Sequence, residues 1–286
     1  MSNDLTEKAM LVKLSVTKWS ARKHDKAVSK KVAAEYGTAE DRGRYNKILI
    51  AQDHLKAISQ AENAARTFHY QQTLPWKDDG ARILPSANYL EYTAEIRRLK
   101  AEFEKEVAAF IDAYPALVSQ ARYELNGLFN QADYPDPAKI GSKFSFEMEV
   151  DPLPAADDFR VTLQAGEVSK IKEEIAARLK AAEQTAVNDL YERLRSAVNH
   201  MMEKLRDKEG IFRDSLVNNI RDLCELIPRL NFTGDARLEE LRAQAEKDLT
   251  AYEPDDLRKN QFARLETADA AAELLAKMAG YTGAAA

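Results

Sequence analysis

The chain has 286 residues; 31% are charged, 45% are hydrophobic, only 10 are Gly and 9 Pro, and the net charge is −5. That length is ample for a buried core, and the composition excludes a disordered, collagenous or low-complexity chain. No run of 18 apolar residues occurs, so no membrane span is expected. The opening MSNDLTEKAMLVKLSV lacks the basic start and sustained apolar core of a secretory signal, and a cytoplasmic location is the expectation. The single cysteine, Cys224, has no internal partner for a disulfide and, beside Leu223 and Leu226, reads as a buried thiol.

In chain order, the first regular stretch is residues 11–17, LVKLSVT, where Val12, Leu14 and Val16 alternate with Lys13, Ser15 and Thr17, the period of a half-buried strand. The basic segment KWSARKHDKAVSKK follows, with a helix beginning near Asp25. Thr38 and Asp41 resemble a capping pair, which predicts a helix from Ala39 to about Tyr70 carrying Ile48, Leu55 and Ile58 on one face. LPWKDDGARILPS, broken by Pro75, Gly80 and Pro85, reads as a loop. Tyr89, Tyr92, Ile96, Leu99, Phe103, Val107, Phe110 and Ile111 then recur mostly three or four apart, an amphipathic helix. Pro115 predicts that it yields at Tyr114, because the residue before a proline avoids helical geometry. A shorter helix to about Asn130 carries Leu117, Ala121, Leu125 and Leu128, and QADYPDP is a turn.

Lys143 to Leu163 is the pivot between two helical halves. Phe144, Phe146, Met148 and Val150 alternate with polar residues, Pro152 and Pro154 stop the pattern, and Phe159, Val161 and Leu163 resume it, which predicts a hairpin. Three strands, near 11–17, 143–150 and 159–164, are expected to share one small antiparallel sheet. From Glu167 to about Lys208 the apolar stripe Val168, Ile171, Ile175, Leu179, Ala182, Ala186, Leu190, Leu194, Ala197, Met201, Leu205 steps by three or four. A mean step of about 3.7 suits a straight packed helix better than a two-stranded zipper. Further helices are predicted from Phe212 to Ile227 before Pro228, after an Asp235 cap to Leu249, and from Asp255 to about Ala279 with Pro254 in the first turn. The expected fold is mainly α with a small antiparallel sheet, an elongated helical body with long antiparallel helices. Its parts are a helical region with the three-stranded sheet (1–165), a long-helix bundle packed on it (166–279) and a flexible tail (280–286). The long stripe needs cover, from the chain's own helices or from a symmetric copy.

The chemistry-bearing groups are sparse. His24, His54, His69 and His200 are too far apart in sequence for a local zinc pair, and Gly141-Ser142-Lys143 lacks the upstream glycine of a phosphate-binding loop. Asp136 after Pro135, with Glu147 and Glu149 on one strand face, imitates the Mg²⁺-nuclease pattern, but the lysine that pattern needs is replaced by Glu149 itself. No catalytic residue and no cofactor is expected. The charge is more informative. Residues 1–50 hold 11 Lys/Arg against 6 Asp/Glu, a net of +5 in a chain of net −5. Lys13, Lys18, Arg22, Lys23, Lys26, Lys30 and Lys31 surround Trp19: cations for phosphates and an aromatic for a base, the recipe for single-strand binding. Against that stands the reading of the same charges as a solvated face docked on the protein's own acidic body.

Residues 10–165 resemble a family of phage-encoded proteins of unknown function, often found beside genes for MoxR-type AAA+ ATPases and von Willebrand A-domain proteins. The resemblance rests on SVTKWSARK, LPSANYLEY, FIDAYP and the turn into KFSFEMEV. It implies a phage or bacterial protein in the host cytoplasm that works with partners, an AAA+ ATPase among them, and it implies no chemistry. Two functions are therefore expected: first, a non-catalytic interaction or accessory protein; second, a single-stranded nucleic-acid-binding protein using the basic segment. An Mg²⁺ nuclease is a remote third.

Overall fold

The computed structural model describes residues 3–76, 80–155, 165–207 and 211–279. The chain is mainly α with a small antiparallel sheet. In order it forms α1 (Asn3–Lys8), β1 (Ala9–Thr17), β2 (Arg22–His24), α2 (Lys26–Glu35), β3 (Asn46–Ile48), α3 (Lys56–Gln72), β4 (Leu74–Pro75), β5 (Ala81–Pro85), α4 (Tyr89–Leu125), β6 (Ser145–Pro152), α5 (Ala165–Arg206), α6 (Ser215–Leu230), α7 (Ala236–Leu249), α8 (Pro254–Lys259) and α9 (Gln261–Ala279). One sheet has the order β4-β5-β1-β6, and β2 pairs with β3 in a separate two-stranded ribbon. Within β1, Ala9–Lys13 runs antiparallel to β5, Ala9 opposite Pro85 and Lys13 opposite Ala81.

Two compact units emerge, the first comprising Met1–Lys13, Tyr70–Tyr92 and Glu149–Ala286, the second Leu14–His69 and Thr93–Met148. The chain passes from one to the other within β1, α3, α4 and β6. The first unit is built on α5, which packs most extensively on α9, with α6 and α7 completing the bundle. The stripe read from the sequence is its buried face from Leu179 to Leu205, joined by Val187, Tyr191 and Val198. At 42 residues, α5 is roughly 60 Å long. Its C-terminal carbonyls are held by Arg264, which donates to Lys204, Leu205 and Asp207. Arg193 does the same for the end of α3, donating to the carbonyls of Tyr70, Gln71 and Thr73.

The second unit has an aromatic core. Phe103 faces Phe146 at 5.8 Å and Phe110 faces Phe144 at 5.7 Å, so the alternating phenylalanines at 144 and 146 pack on the stripe of α4. Leu14, Val16, Ile58 and Ala65 of the same unit are also buried.

Several expectations are corrected. The segment from Leu74 to Pro85 is not merely a loop: it holds β4 and β5, antiparallel to each other, with Pro75 tolerated because β4 is an edge strand. The helix expected from Ala39 to about Tyr70 is absent over residues 39–51 and starts only with a 3-10 turn at Gln52–Leu55 that leads into α3. Gly37, at φ +62, ends α2, and Ile48 pairs in a strand with its side chain 47% exposed. Thr38 caps nothing; its N–H bonds back to the carbonyl of Ala33. α4 does not yield before Pro115, and α6 does not stop before Pro228. Both prolines lie on the exposed side of their helices while the opposite faces stay packed, and the Cys224 carbonyl that Pro228 leaves without a helical donor accepts from the Arg242 guanidinium at 3.5 Å. The last helix is two: Asn260 interrupts it and caps α9, its carboxamide oxygen accepting from the N–H groups of Phe262 and Ala263. The strand expected at 159–164 lies outside the described residues.

Candidate nucleic-acid interface

The basic segment folds into a small module of the second unit, in which β2 and β3 form the ribbon and α2 is inserted between them. Local chemistry dictates this. Asp25 is an N-cap, its carboxylate accepting from Ala27 and Val28 N–H at 3.1 Å. At the far end, Thr38 N–H bonds Ala33 C=O and Gly37 N–H bonds Ala34 C=O, the paired closure of a helix that ends on a left-handed glycine. The returning loop is tied back to the start of α2: Asp25 N–H donates to Tyr45 C=O at 2.9 Å, and Tyr45 N–H donates to the Ser29 hydroxyl at 3.0 Å.

Under the module sits Lys47, only 3% exposed. Its ammonium lies 2.6 Å from Asp133 and 3.5 Å from Asp25, and it donates to the Leu128 carbonyl at 2.8 Å. Burial alone would lower its pKa; the bond and charge of Asp133, with Asp25 behind it, outweigh burial and raise it. The Val28 amide is the main reason that the Asp25 carboxyl stays below its ordinary range, against burial and with help from Lys47. Lys47 is thus a structural ion, spent on holding the module in place.

The eight residues expected to bind nucleic acid divide into four groups. Lys13 belongs to the first unit, 4.0 Å from Glu149. Lys18 is consumed by Glu62 at 2.7 Å and Ser59 at 3.0 Å; burial works to raise the Glu62 carboxyl, but Lys18 and Arg66 hold it below its usual range. Trp19 is placed against the aromatic core of the second unit. It is half-buried, with its ring 5.7 Å from Tyr114 edge-on and 6.3 Å from Phe110. Only Arg22, Lys23, Lys26, Lys30 and Lys31 come together on the module, all exposed. Lys30 has a loose partner in Glu40 at 3.4 Å. Among the described residues, Arg22, Lys23, Lys26 and Lys31 have no carboxylate within ion-pair distance. For those four the described residues show a solvated face and no docking on the protein's own acids.

Sequence reasoning missed Lys47, and it missed Arg42 and Arg44, exposed on the returning loop. The Lys47 partners, Asp25 and Asp133, are 22 and 86 residues away along the chain, and no local spacing encodes them. Beside β3 a hollow of about 380 Å³ is lined by Ile48, Leu49, Ala51, Gln52, Asp53, Glu124 and Leu125; its two carboxylates have the wrong sign for phosphate.

The nuclease constellation does not form a metal site. Asp136 turns its carboxylate to the N–H of Ala138, Glu149 lies by Lys13, and no group of three His, Cys, Asp or Glu among the described residues could hold a metal ion. Cys224 is buried, its thiol pushed up to about 11 chiefly by desolvation, which makes it a packing residue. No helix among the described residues is long and apolar enough to cross a membrane. Compared with protein-family models, curated proteins and solved structures, the chain gives no match.

Proposed function

We propose that the chain is a binding component without chemistry of its own, and that the basic module of the second unit is the surface with which it holds nucleic acid. One observation carries this. Four exposed cations of β2 and α2, Arg22, Lys23, Lys26 and Lys31, and Arg44 on the returning loop lack an acidic partner among the described residues, whereas Lys30, Arg42 and Lys47 of the same module have one. Unpaired surface cations held on a capped helix and a paired strand are preorganised for an anionic polymer, because binding releases counterions without first breaking an internal ion pair. The rest of the chain, with its excess of acids, supports a partner role beside that surface, and an AAA+ ATPase is the partner class implied by the family resemblance.

A second reading, a protein partner with an acidic face, is favoured by Val32 and Tyr36. They lie one turn apart on α2 and its end and are 44% and 76% exposed. The experiment is affinity capture of the full chain from its native cells with and without nuclease, for the wild type and a variant with Arg22, Lys23, Lys26 and Lys31 all changed to Ala. Nucleic acid retained by the wild type and lost by the variant supports the proposal. A protein captured equally after nuclease treatment, with no nucleic acid in either sample, refutes it in favour of the second reading.

A further inference from the structure

We propose that Tyr36 and Tyr45 are base-stacking platforms at the two ends of α2, so that the module takes single strands and discriminates against duplex. This rests on the nucleic-acid reading above and extends it, because cations touching phosphates do not by themselves distinguish one strand from two.

Stacking needs an exposed ring on ordered backbone. Trp19 is half-buried, in tilted and edge-on contact with Phe110 and Tyr114. Tyr36 is 76% exposed and Tyr45 38% exposed, and neither side chain has a hydrogen bond or ring partner among the described residues. Neither sits on a slack loop. Tyr36 is the last residue before Gly37, fixed by the paired closure of α2, and its N–H bonds Val32 C=O at 3.1 Å. Tyr45 is clamped on both sides of its peptide unit, donating to Ser29 and accepting from Asp25. Its carbonyl bond reaches the N-cap of α2, so Tyr45 stands at the helix start and Tyr36 at its end. α2 has ten residues, so the two positions are separated by about 15 Å along its axis. Along the axis between them come Lys26, Lys30, loosely paired with Glu40, and Lys31, which is turned about 140° round the helix from Tyr36. That is the order a single strand requires: ring, phosphate-neutralising cations, ring. In duplex the bases already stack on one another, and the rings have no face to meet.

The test is fluorescence anisotropy on the full chain with three labelled ligands of equal length: oligothymidylate, an abasic phosphodiester strand, and duplex DNA. The expected result is tightest binding to oligothymidylate. Tyr36→Ala and Tyr45→Ala each weaken it roughly 5- to 100-fold, leave its salt dependence unchanged, and leave abasic-strand binding alone. Tyr36→Phe, which keeps the ring, binds like the wild type. Equal affinity of the unaltered protein for abasic strand and oligothymidylate overturns the proposal without any variant, and leaves the phosphate-binding surface standing. So does an equal loss on all three ligands in the Ala variants. No binding to any ligand at low salt removes the nucleic-acid reading and this proposal with it, leaving the exposed rings to a protein partner.

Discussion

Lys47→Met withdraws a buried ammonium from between two carboxylates, and the cost can be worked from its contacts. The side chain is 3% exposed, and its partners Asp133 and Asp25 are only 14% and 18% exposed. Removing one member of a buried pair costs about 3–5 kcal/mol, since the stranded charge loses its partner without regaining water. Asp25 keeps the amides of Ala27 and Val28, so the lower end, about 3 kcal/mol, is expected. Trp76 packs on the core of the first unit and Trp19 in the second, so urea unfolding in a Trp76→Phe background lets Trp19 report on the unit that holds Lys47. Adding Asp133→Asn should recover part of the loss, because the two changes share one ion pair. The dependence on pH has a definite sign. Lys47 is raised above its ordinary 10.5, so its contribution is whole below that value and lost as pH rises through the folded pKa. Asp25 is lowered from 3.8, so its contribution is whole above that value and lost as pH falls through the folded pKa. The gap between wild type and variant is therefore widest from about pH 5 to 10 and narrows on both sides. A variant with an unchanged midpoint at pH 7 would refute the assignment of Lys47 as a structural ion.

Three further perturbations follow from the same reasoning. Leu194→Ala, at a position wholly buried in α5, should cost about 2–5 kcal/mol in denaturant unfolding of the first unit. Pro115→Ala should stabilise the second unit by up to ~3 kcal/mol, because α4 already runs through the site and would regain a backbone bond; a loss of stability would show that the proline relieves a strain of its own. Arg264→Ala removes three bonds to the end of α5 and a guanidinium 5.4 Å from the Phe212 ring, and should lower the thermal midpoint, whereas Arg264→Lys should restore only part of it.

The long periodic elements were legible. The stripe of α5 from Leu179 onward, the stripe of α4 from Tyr92 to Phe110, and Phe144 and Phe146 bury as their spacing predicts, because period is a property of many residues and survives local noise, whereas Val150, expected on the same strand face, is exposed. What was illegible was short or tertiary. β4 has two residues and β5 five, each including a proline, and their pairing is decided by β1, which lies some seventy residues earlier. Continuing α4 through Pro115 depends on Phe110, Tyr114, Leu117 and Ala121 being buried together, a gain no local rule weighs. The basic segment is a cluster in sequence, but sequence could not sort its members. That Lys18 and Lys47 are neutralised, Trp19 packed, and Arg22, Lys23, Lys26 and Lys31 free depends on Glu62, Asp133, Phe110 and Tyr114, all brought in from elsewhere in the second unit.

The measurement that bears most directly on the binding surface is the salt dependence of the full chain's affinity for a labelled oligothymidylate. Four phosphate contacts, one each for Arg22, Lys23, Lys26 and Lys31, give a log–log slope of roughly −3 at about −0.7 per contact, and changing Arg22, Lys23 and Lys26 to Ala should flatten it by about two. A wild-type slope near zero, or a slope that the triple variant leaves untouched, would contradict the account.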